Sequence, residues 1–311
     1  MSALYFDSDL SDDPRRERLH EGALFVFSPR ASTRAFCDFA RELCEEAFAP
    51  HDPRDAQHHL PVERYVQVLA ELKPRFIHHP RSKELLCAVL SDFACDPERT
   101  YFDVPRLRTA CHGDYLTSGL AYAFHPHRDT WYSAALCQLN WWLPVYDYTA
   151  DSGMAFHPLY WRLPLKNSSR DYDYARWNRE SRHQAALHVK NDTRRQPRPE
   201  QRLDDVPLRP VCAAAGLILF SAAQLHSTVP NRSGRTRLSI DFRTVNGHDV
   251  AWRHGAPNAD SACTGTSLRD FLRAGDLAGL PEDLVEPYDR GPLGMLEEPC
   301  ELARFREASR R

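Results

Sequence analysis

Five consecutive residues, His125-Pro126-His127-Arg128-Asp129, place two imidazoles and a carboxylate close together. In an extended chain, residues i and i+2 point to the same side. His127 and Asp129 can therefore present a ring nitrogen and a carboxylate oxygen to one ion. His125 shares a face with His127 by the same rule and is a rival ligand. A third ligand must come from elsewhere, and His226, which follows the strand-like LILF at 217–220, is the best candidate. Two histidines and one carboxylate on one face of an octahedral ion leave three positions open, a geometry suited to non-haem Fe(II). A zinc or cupin-type site could use the same pair. In a chain with 15 histidines, an H-x-D pair on its own is weak evidence.

The segment after His226 adds to the pattern. It reads HSTVPNRSGRTRLSIDF, with Arg237 eleven residues past the histidine and Ser239 two further on. Arg232, Ser233, Gly234 and Arg235 read as a turn, so Arg237 should open a return strand. That strand is expected to run antiparallel to the one carrying His226. Arg237 and Ser239 then share a face. A guanidinium grips a carboxylate with two parallel hydrogen bonds, and a hydroxyl adds another.

Around these residues the chain reads as two unlike parts. ALFVF at 23–27 suggests a strand, Ser32 an N-cap, and Phe36, Phe39, Leu43 and Ala47 fall at helical spacing until Pro50 and Pro53. A second helix is expected from Val62 to Phe76, distorted or ended by Pro74. A third is expected from Ser82 to Phe93. From Tyr101 onward, short apolar runs alternate with turn signals: RLRTAC, GLAYAF, Ala134 to Val145, LILF and RLSIDFRTV. Many short strands in series suggest an antiparallel sandwich or barrel. The stretch from Trp161 to Pro210 is polar and basic and too long for a hairpin loop, which suggests a lid or insertion. One more helix is expected near Ser267 to Ala274.

Composition excludes several classes. The chain has 311 residues, 42% hydrophobic and 27% charged, with a net charge of −3. Nothing in that balance points to nucleic acid or a membrane surface. The polar, acidic start lacks the apolar run of a signal peptide, and no stretch is apolar enough to span a bilayer. Nine scattered cysteines without a C-x-x-C pair suggest free thiols and a cytoplasmic location.

Taken together, His127 and Asp129, His226, the P-N-x-S turn at Pro230, Asn231 and Ser233, and R-x-S at Arg237 and Ser239 resemble the Fe(II)/2-oxoglutarate-dependent dioxygenases of the phytanoyl-CoA dioxygenase-like superfamily. NWWLPVYD resembles the family strand that carries a tryptophan by the cosubstrate, with Trp142 at that position. The resemblance spans Tyr101 to Val245. It implies a mostly β fold with flanking helices: a double-stranded β-helix (jelly roll, cupin-like) core over 101–250, helical support over 1–100, a 161–210 insertion and a 251–311 extension, all one domain.

The resemblance further implies Fe(II), 2-oxoglutarate and O2 as cofactors, with His127, Asp129 and His226 as ligands. Arg237, Ser239, Asn140 and Trp142 would bind the cosubstrate, and Arg128, Trp131, Tyr132, Met154 and His157 would bind substrate. Because Asp129 is present, hydroxylation, desaturation or ring formation is expected rather than halogenation. The expected partner is a small molecule, with an anionic one favoured if the basic segment forms a lid. A carrier-bound or macromolecular substrate is the alternative within the same chemistry. A silent metal- or sugar-binding β-sandwich is the alternative outside it. Two departures, Gly216-Leu217 before the distal strand and His157-Pro158-Leu159-Tyr160 after the central strands, leave the substrate open.

Overall fold

A computed structural model describes residues 3–116, 120, 124–181, 194 and 196–294. The elements in chain order are β1 (Leu4–Phe6), α1 (Asp12–His20), β2 (Leu24–Phe27), α2 (Ala31–Phe48), α3 (Val62–His78), α4 (Pro80–Asp92), β3 (Thr100–Phe102), β4 (Arg106–Ala110), β5 (Leu139–Pro144) and β6 (Met154–Phe156). They continue with α5 (Tyr174–Glu180), β7 (Leu217–Ser221), β8 (His226–Thr228), β9 (Arg237–Asn246), α6 (Gly247–Trp252), β10 (Leu272–Arg273) and α7 (Glu282–Val285). Short 3-10 turns lie between them.

Among the described residues, eight strands form the major sheet, in the order β1-β2-β7-β5-β9-β3-β10, with β4 also paired to β9. The minor sheet pairs β6 with β8 and is widened by single bridges from His226 to His127 and from Phe156 to Leu208. Following the chain, β4 lies in the major sheet, His127 in the minor, β5 in the major, β6 and Leu208 in the minor. β7 then returns to the major sheet, β8 to the minor and β9 to the major. This alternation between two facing sheets is the winding of a double-stranded β-helix.

Strand alternation sorts the side chains of the major sheet onto two faces. Leu139, Trp141 and Leu143 of β5, Leu217 and Leu219 of β7, and Leu238, Ile240 and Phe242 of β9 join one core. Phe36, Phe39 and Leu43 of α2, Tyr65, Leu69 and Phe76 of α3, and Leu86 and Val89 of α4 complete it from the helical side. The other face carries Trp142, Ile218 and Phe220, which meet Met154 and Phe156 of the minor sheet. The adjacent tryptophans thus part company. Trp141 stacks on Phe242 with ring centroids 5.4 Å apart, and Trp142 turns inward.

Several local expectations are corrected. α2 begins at Ala31 with Arg30 as its cap, and Ser32 lies inside the helix, where its hydroxyl binds Asp92. α3 runs through Pro74 to His78. Near Ser267–Ala274 there is no long helix: a 3-10 turn at Leu268–Asp270 leads into β10, because Leu272 and Arg273 pair with β3. The strand read at ALFVF forms as β2, and with β1, an unexpected strand, it extends the major sheet. Most of GLAYAF lies outside the described residues. No helix among the described residues is long and apolar enough to cross a membrane.

Candidate metal centre

His127 reaches the site through a single bridge. Its backbone exchanges two hydrogen bonds with His226, each 2.9 Å. Arg128 is extended, and Asp129 opens a 3-10 turn whose amide donates to the Ala222 carbonyl. The two histidines therefore sit opposite each other across the bridge, and the carboxylate folds back toward both. Asp129 Oδ1 is 3.2 Å from His127 Nε2 and 3.8 Å from His226 Nε2. All three residues are buried or nearly so.

Both rings are oriented from behind. His127 Nδ1 lies 2.8 Å from the His125 carbonyl, and His226 Nδ1 lies 2.9 Å from the Gln224 carbonyl. A carbonyl can only accept, so each Nδ1 carries the proton and each Nε2 lone pair faces Asp129. Burial and the neighbouring His127 push His226 down to about 3, which keeps its ring neutral and able to ligate. Burial would raise Asp129, but the neighbouring His127 and the charge of Arg243 hold it well below the usual carboxylate range. Its second oxygen is taken by Asn140 at 2.9 Å and by Arg243 at 3.4 Å. Arg243 is in turn held by Asp103 at 2.9 Å.

The site opens into a cavity of about 760 Å³ lined by residues of both sheets, of α3 and of α5. Arg237 enters the same cavity from β9. Its Nη1 donates to Ser239 Oγ at 2.6 Å, and its guanidinium carbon lies 5.4 Å from the centroid of the Trp142 ring. Its Nε is buried with no hydrogen-bond partner among the described residues. Burial pulls its pKa down to about 10. An ionised group this deep, with a free donor and no ion pair among the described residues, has less counter-charge than such burial calls for, although Asp241 acts on it from a distance.

The structure sets the predicted residues in three groups. His127, Asp129 and His226 converge with donor atoms within 4.8 Å of one another, and His125 stands outside, near the Pro197 carbonyl and Tyr132. Arg237, Trp142, Asn140, Tyr132 and Met154 line the cavity. Asn140 is spent on Asp129, and fully buried Ser239 holds Arg237.

Arg128, Trp131 and His157 do not line the cavity, which corrects the expectation that they meet substrate. Arg128 and Trp131 both bind Asp260, and Arg128 also donates to the carbonyls of Ala223, Tyr160 and Leu163. His157 is locked to Asp205 at 2.8 Å. Residue alternation explains Arg128: it lies between two inward residues and must point outward.

A further correction concerns the strands. β8 and β9 are not neighbours: β8 pairs with β6, and β9 pairs with β3, β4 and β5. The connection between them crosses from one sheet to the other. Asn231 pins that crossing, donating to the carbonyls of Ala110 and Arg235 and accepting from Ser233. His226 and Arg237 therefore come from the two facing walls.

Sequence reading missed Arg243, and it placed Gln138 on the face of Asn140 without a role, where it donates to Asp129 at 3.4 Å. The signal was available, because Arg237, Ser239, Asp241 and Arg243 fall on one face of β9, and Gln138 precedes Asn140 by two. The basic 161–210 segment divides. Arg170 and Arg176 form surface pairs with Glu200 and Glu180, whereas Arg194, Tyr172 and Trp177 line the cavity. Positions 182–193 and 195 of the expected lid lie outside the described residues.

No family model and no curated protein matches the chain. Among solved structures, a non-heme monooxygenase, ThoJ in its apo form, is similar over 95% of this chain and 93% of its own, at 13% identity and a TM-score of 0.43. EvdO2 from Micromonospora carbonacea var. aurantiaca, complexed with 2-oxoglutarate, is similar over 76% and 91%, at 15% identity and a TM-score of 0.44. EctD from S. alaskensis is similar over 80% and 82%, at 13% identity and a TM-score of 0.39.

Proposed function

We propose that this protein is an Fe(II)- and 2-oxoglutarate-dependent oxygenase acting on a small molecule. The observation that carries this reading is the pairing, in one cavity, of a two-histidine, one-carboxylate cluster with a buried arginine whose Nε has no partner. The donor set leaves coordination positions open, as non-haem Fe(II) requires. Arg237 supplies the counter-charge for a carboxylate brought into the same space. A silent β-sandwich has no use for such an arginine.

His127, Asp129 and His226 would hold the metal, and Arg237 would bind the distal carboxylate of 2-oxoglutarate. When bound, iron with 2-oxoglutarate supplies oxidation of a C–H bond by dioxygen, with release of succinate and carbon dioxide. The chain's own residues supply position and dryness. The His125 and Gln224 carbonyls fix the ring tautomers. Asn140 and Arg243 hold one oxygen of Asp129, so the other faces the histidines. Trp142 lies against Arg237 and narrows water's access to it. The cavity volume falls in the range of small-molecule sites. Its wall carries Tyr132, Tyr172 and Trp177, with the Arg194 guanidinium over the Trp177 ring, which favours a substrate with an aromatic or apolar body and an acidic group. The reaction is hydroxylation, desaturation or ring closure, since the carboxylate ligand leaves no halide position.

The test is anaerobic titration of the Fe(II) protein with 2-oxoglutarate, followed by succinate release in air. A visible charge-transfer band that saturates, together with succinate, is expected. No band and no succinate would overturn the reading.

A further inference from the structure

A second cluster of the same residue types lies away from the cavity. His20 is the last residue of α1, Asp249 sits in α6, and His254 follows the end of α6. Arg253 takes a left-handed conformation at φ 52, which turns the chain back so that the His254 amide donates to the Asp249 carbonyl. His254 Nδ1 then lies 3.5 Å from Asp249 Oδ1. The His20 ring stands edge-on to His254, with centroids 5.4 Å apart. One nitrogen of each ring and one Asp249 oxygen all lie within 4.8 Å of one another.

What sets this cluster apart is His20. It is only 5% exposed, and neither ring nitrogen makes a well-formed hydrogen bond among the described residues, the backbone of Cys137 being close to the ring but not in bonding geometry. A buried polar group without a partner costs free energy, and an apolar residue would fill the same space without that cost. The orphaned nitrogens lie beside a carboxylate whose other oxygen is already held by Arg16. That is how a ligating carboxylate is usually steadied from behind. Half-buried His254 leaves a route in from solvent. On the core side lies Cys137, its thiol pushed up by burial and by the charge of Asp249.

We propose that His20, Asp249 and His254 form a second divalent-metal site, suited to zinc and separate from the cavity. Two imidazoles and a carboxylate are a common zinc donor set. Tetrahedral ligands at zinc stand about 3.3 Å apart, so a small rotation of the half-buried His254 ring closes the cluster. The metal would tie the N-terminal helix α1 to α6, which follows directly on β9. Its task is structural, because none of its three residues lines the large cavity.

The experiment uses the full chain, stripped of metal and then equilibrated with Zn(II). Bound zinc is counted by elemental analysis after gel filtration. The wild type is expected to hold two equivalents. A His127→Ala/His226→Ala variant is expected to hold one, and its melting temperature should rise with zinc. Adding His254→Ala should remove both that equivalent and the rise. His20→Ala in the same background should do the same, with circular dichroism confirming the fold. His254 is half-buried, so its variant covers the case in which His20→Ala fails to fold. Failure of the two-histidine variant to bind zinc would overturn the proposal. So would retention of the equivalent after His254→Ala. Succinate formation by the His254→Ala single variant reports on the cavity independently, so the two readings can fail separately.

Discussion

The two clusters share a composition, two histidines and one aspartate, and differ in everything around it. At His127, Asp129 and His226, each ring is held by a backbone carbonyl, the carboxylate is held by Asn140 and Arg243, and a large cavity opens in front. At His20, Asp249 and His254, one ring has no hydrogen bond and the other leans on the carboxylate itself. The first arrangement is oriented before any ligand arrives, as chemistry at open positions requires. The second is only brought near, which suffices for a tie between elements. Identical ligand types thus lead to different tasks through their backing and the space they face.

The buried arginines make the same point. Arg128 has a carboxylate and three carbonyls around it, whereas Arg237 has one hydroxyl and an unpartnered Nε. A satisfied cation holds structure, and an unsatisfied one in a cavity is ready for a ligand.

The largest effect should separate the clusters directly. His226→Ala or Asp129→Ala should cut succinate formation by more than ~100-fold, beyond what loss of an outer-shell partner typically costs. His254→Ala should leave most turnover intact. Equal loss in both would break the distinction.

Next come the arginines. Arg128→Ala removes one partner of a buried ion pair and should destabilise the fold by about 3–5 kcal/mol, read by urea unfolding. 2-oxoglutarate affinity in the folded fraction should be unchanged. Arg237→Ala should weaken 2-oxoglutarate by roughly a hundredfold, taking about 1.4 kcal/mol per decade. Fe(II) affinity should hold, and Arg237→Lys should recover only part of the loss. If Arg128→Ala weakens 2-oxoglutarate as much as Arg237→Ala does, the contrast between the two arginines is wrong.

Asn140→Ala comes third. Its bond to Asp129 predicts a loss of about tenfold in Fe(II) affinity, within the range for outer-shell partners. A shift confined to the 2-oxoglutarate titration would instead return Asn140 to the cosubstrate.

The smallest effect concerns Lys73 on the cavity wall, which burial and the nearby Arg108 bring down to about 7. The folded state takes the charged form poorly. Its cost is therefore full below pH 7 and fades as pH rises toward the unfolded lysine value. Lys73→Met should remove a modest gain in melting temperature between pH 7 and 9. An identical pH profile in both proteins would show that Lys73 is solvated rather than part of the wall.

Local periodicity made much of this site legible. A spacing of two put His127 with Asp129, Arg237 with Ser239, and Gln138, Asn140 and Trp142 on shared faces, because a strand repeats every two residues wherever it lies. The same rule would have removed Arg128 from the substrate list and added Arg243. The distant partners were not legible. Asp260 reaches Arg128 and Asp205 reaches His157 because the winding brings those segments together, and no local pattern encodes it. The placing of β8 and β9 in opposite sheets has the same origin: the turn at Pro230–Arg235 is readable, but whether the chain folds back or crosses over depends on what Asn231 finds to bind. His20 and Asp249 stand far apart in the chain, and only the packing that sets Arg16 of α1 against Asp249 of α6 makes them neighbours. Residue type and spacing determined which groups could share a face. Tertiary structure decided which of them lack partners, because burial and hydrogen bonding depend on everything else that arrives.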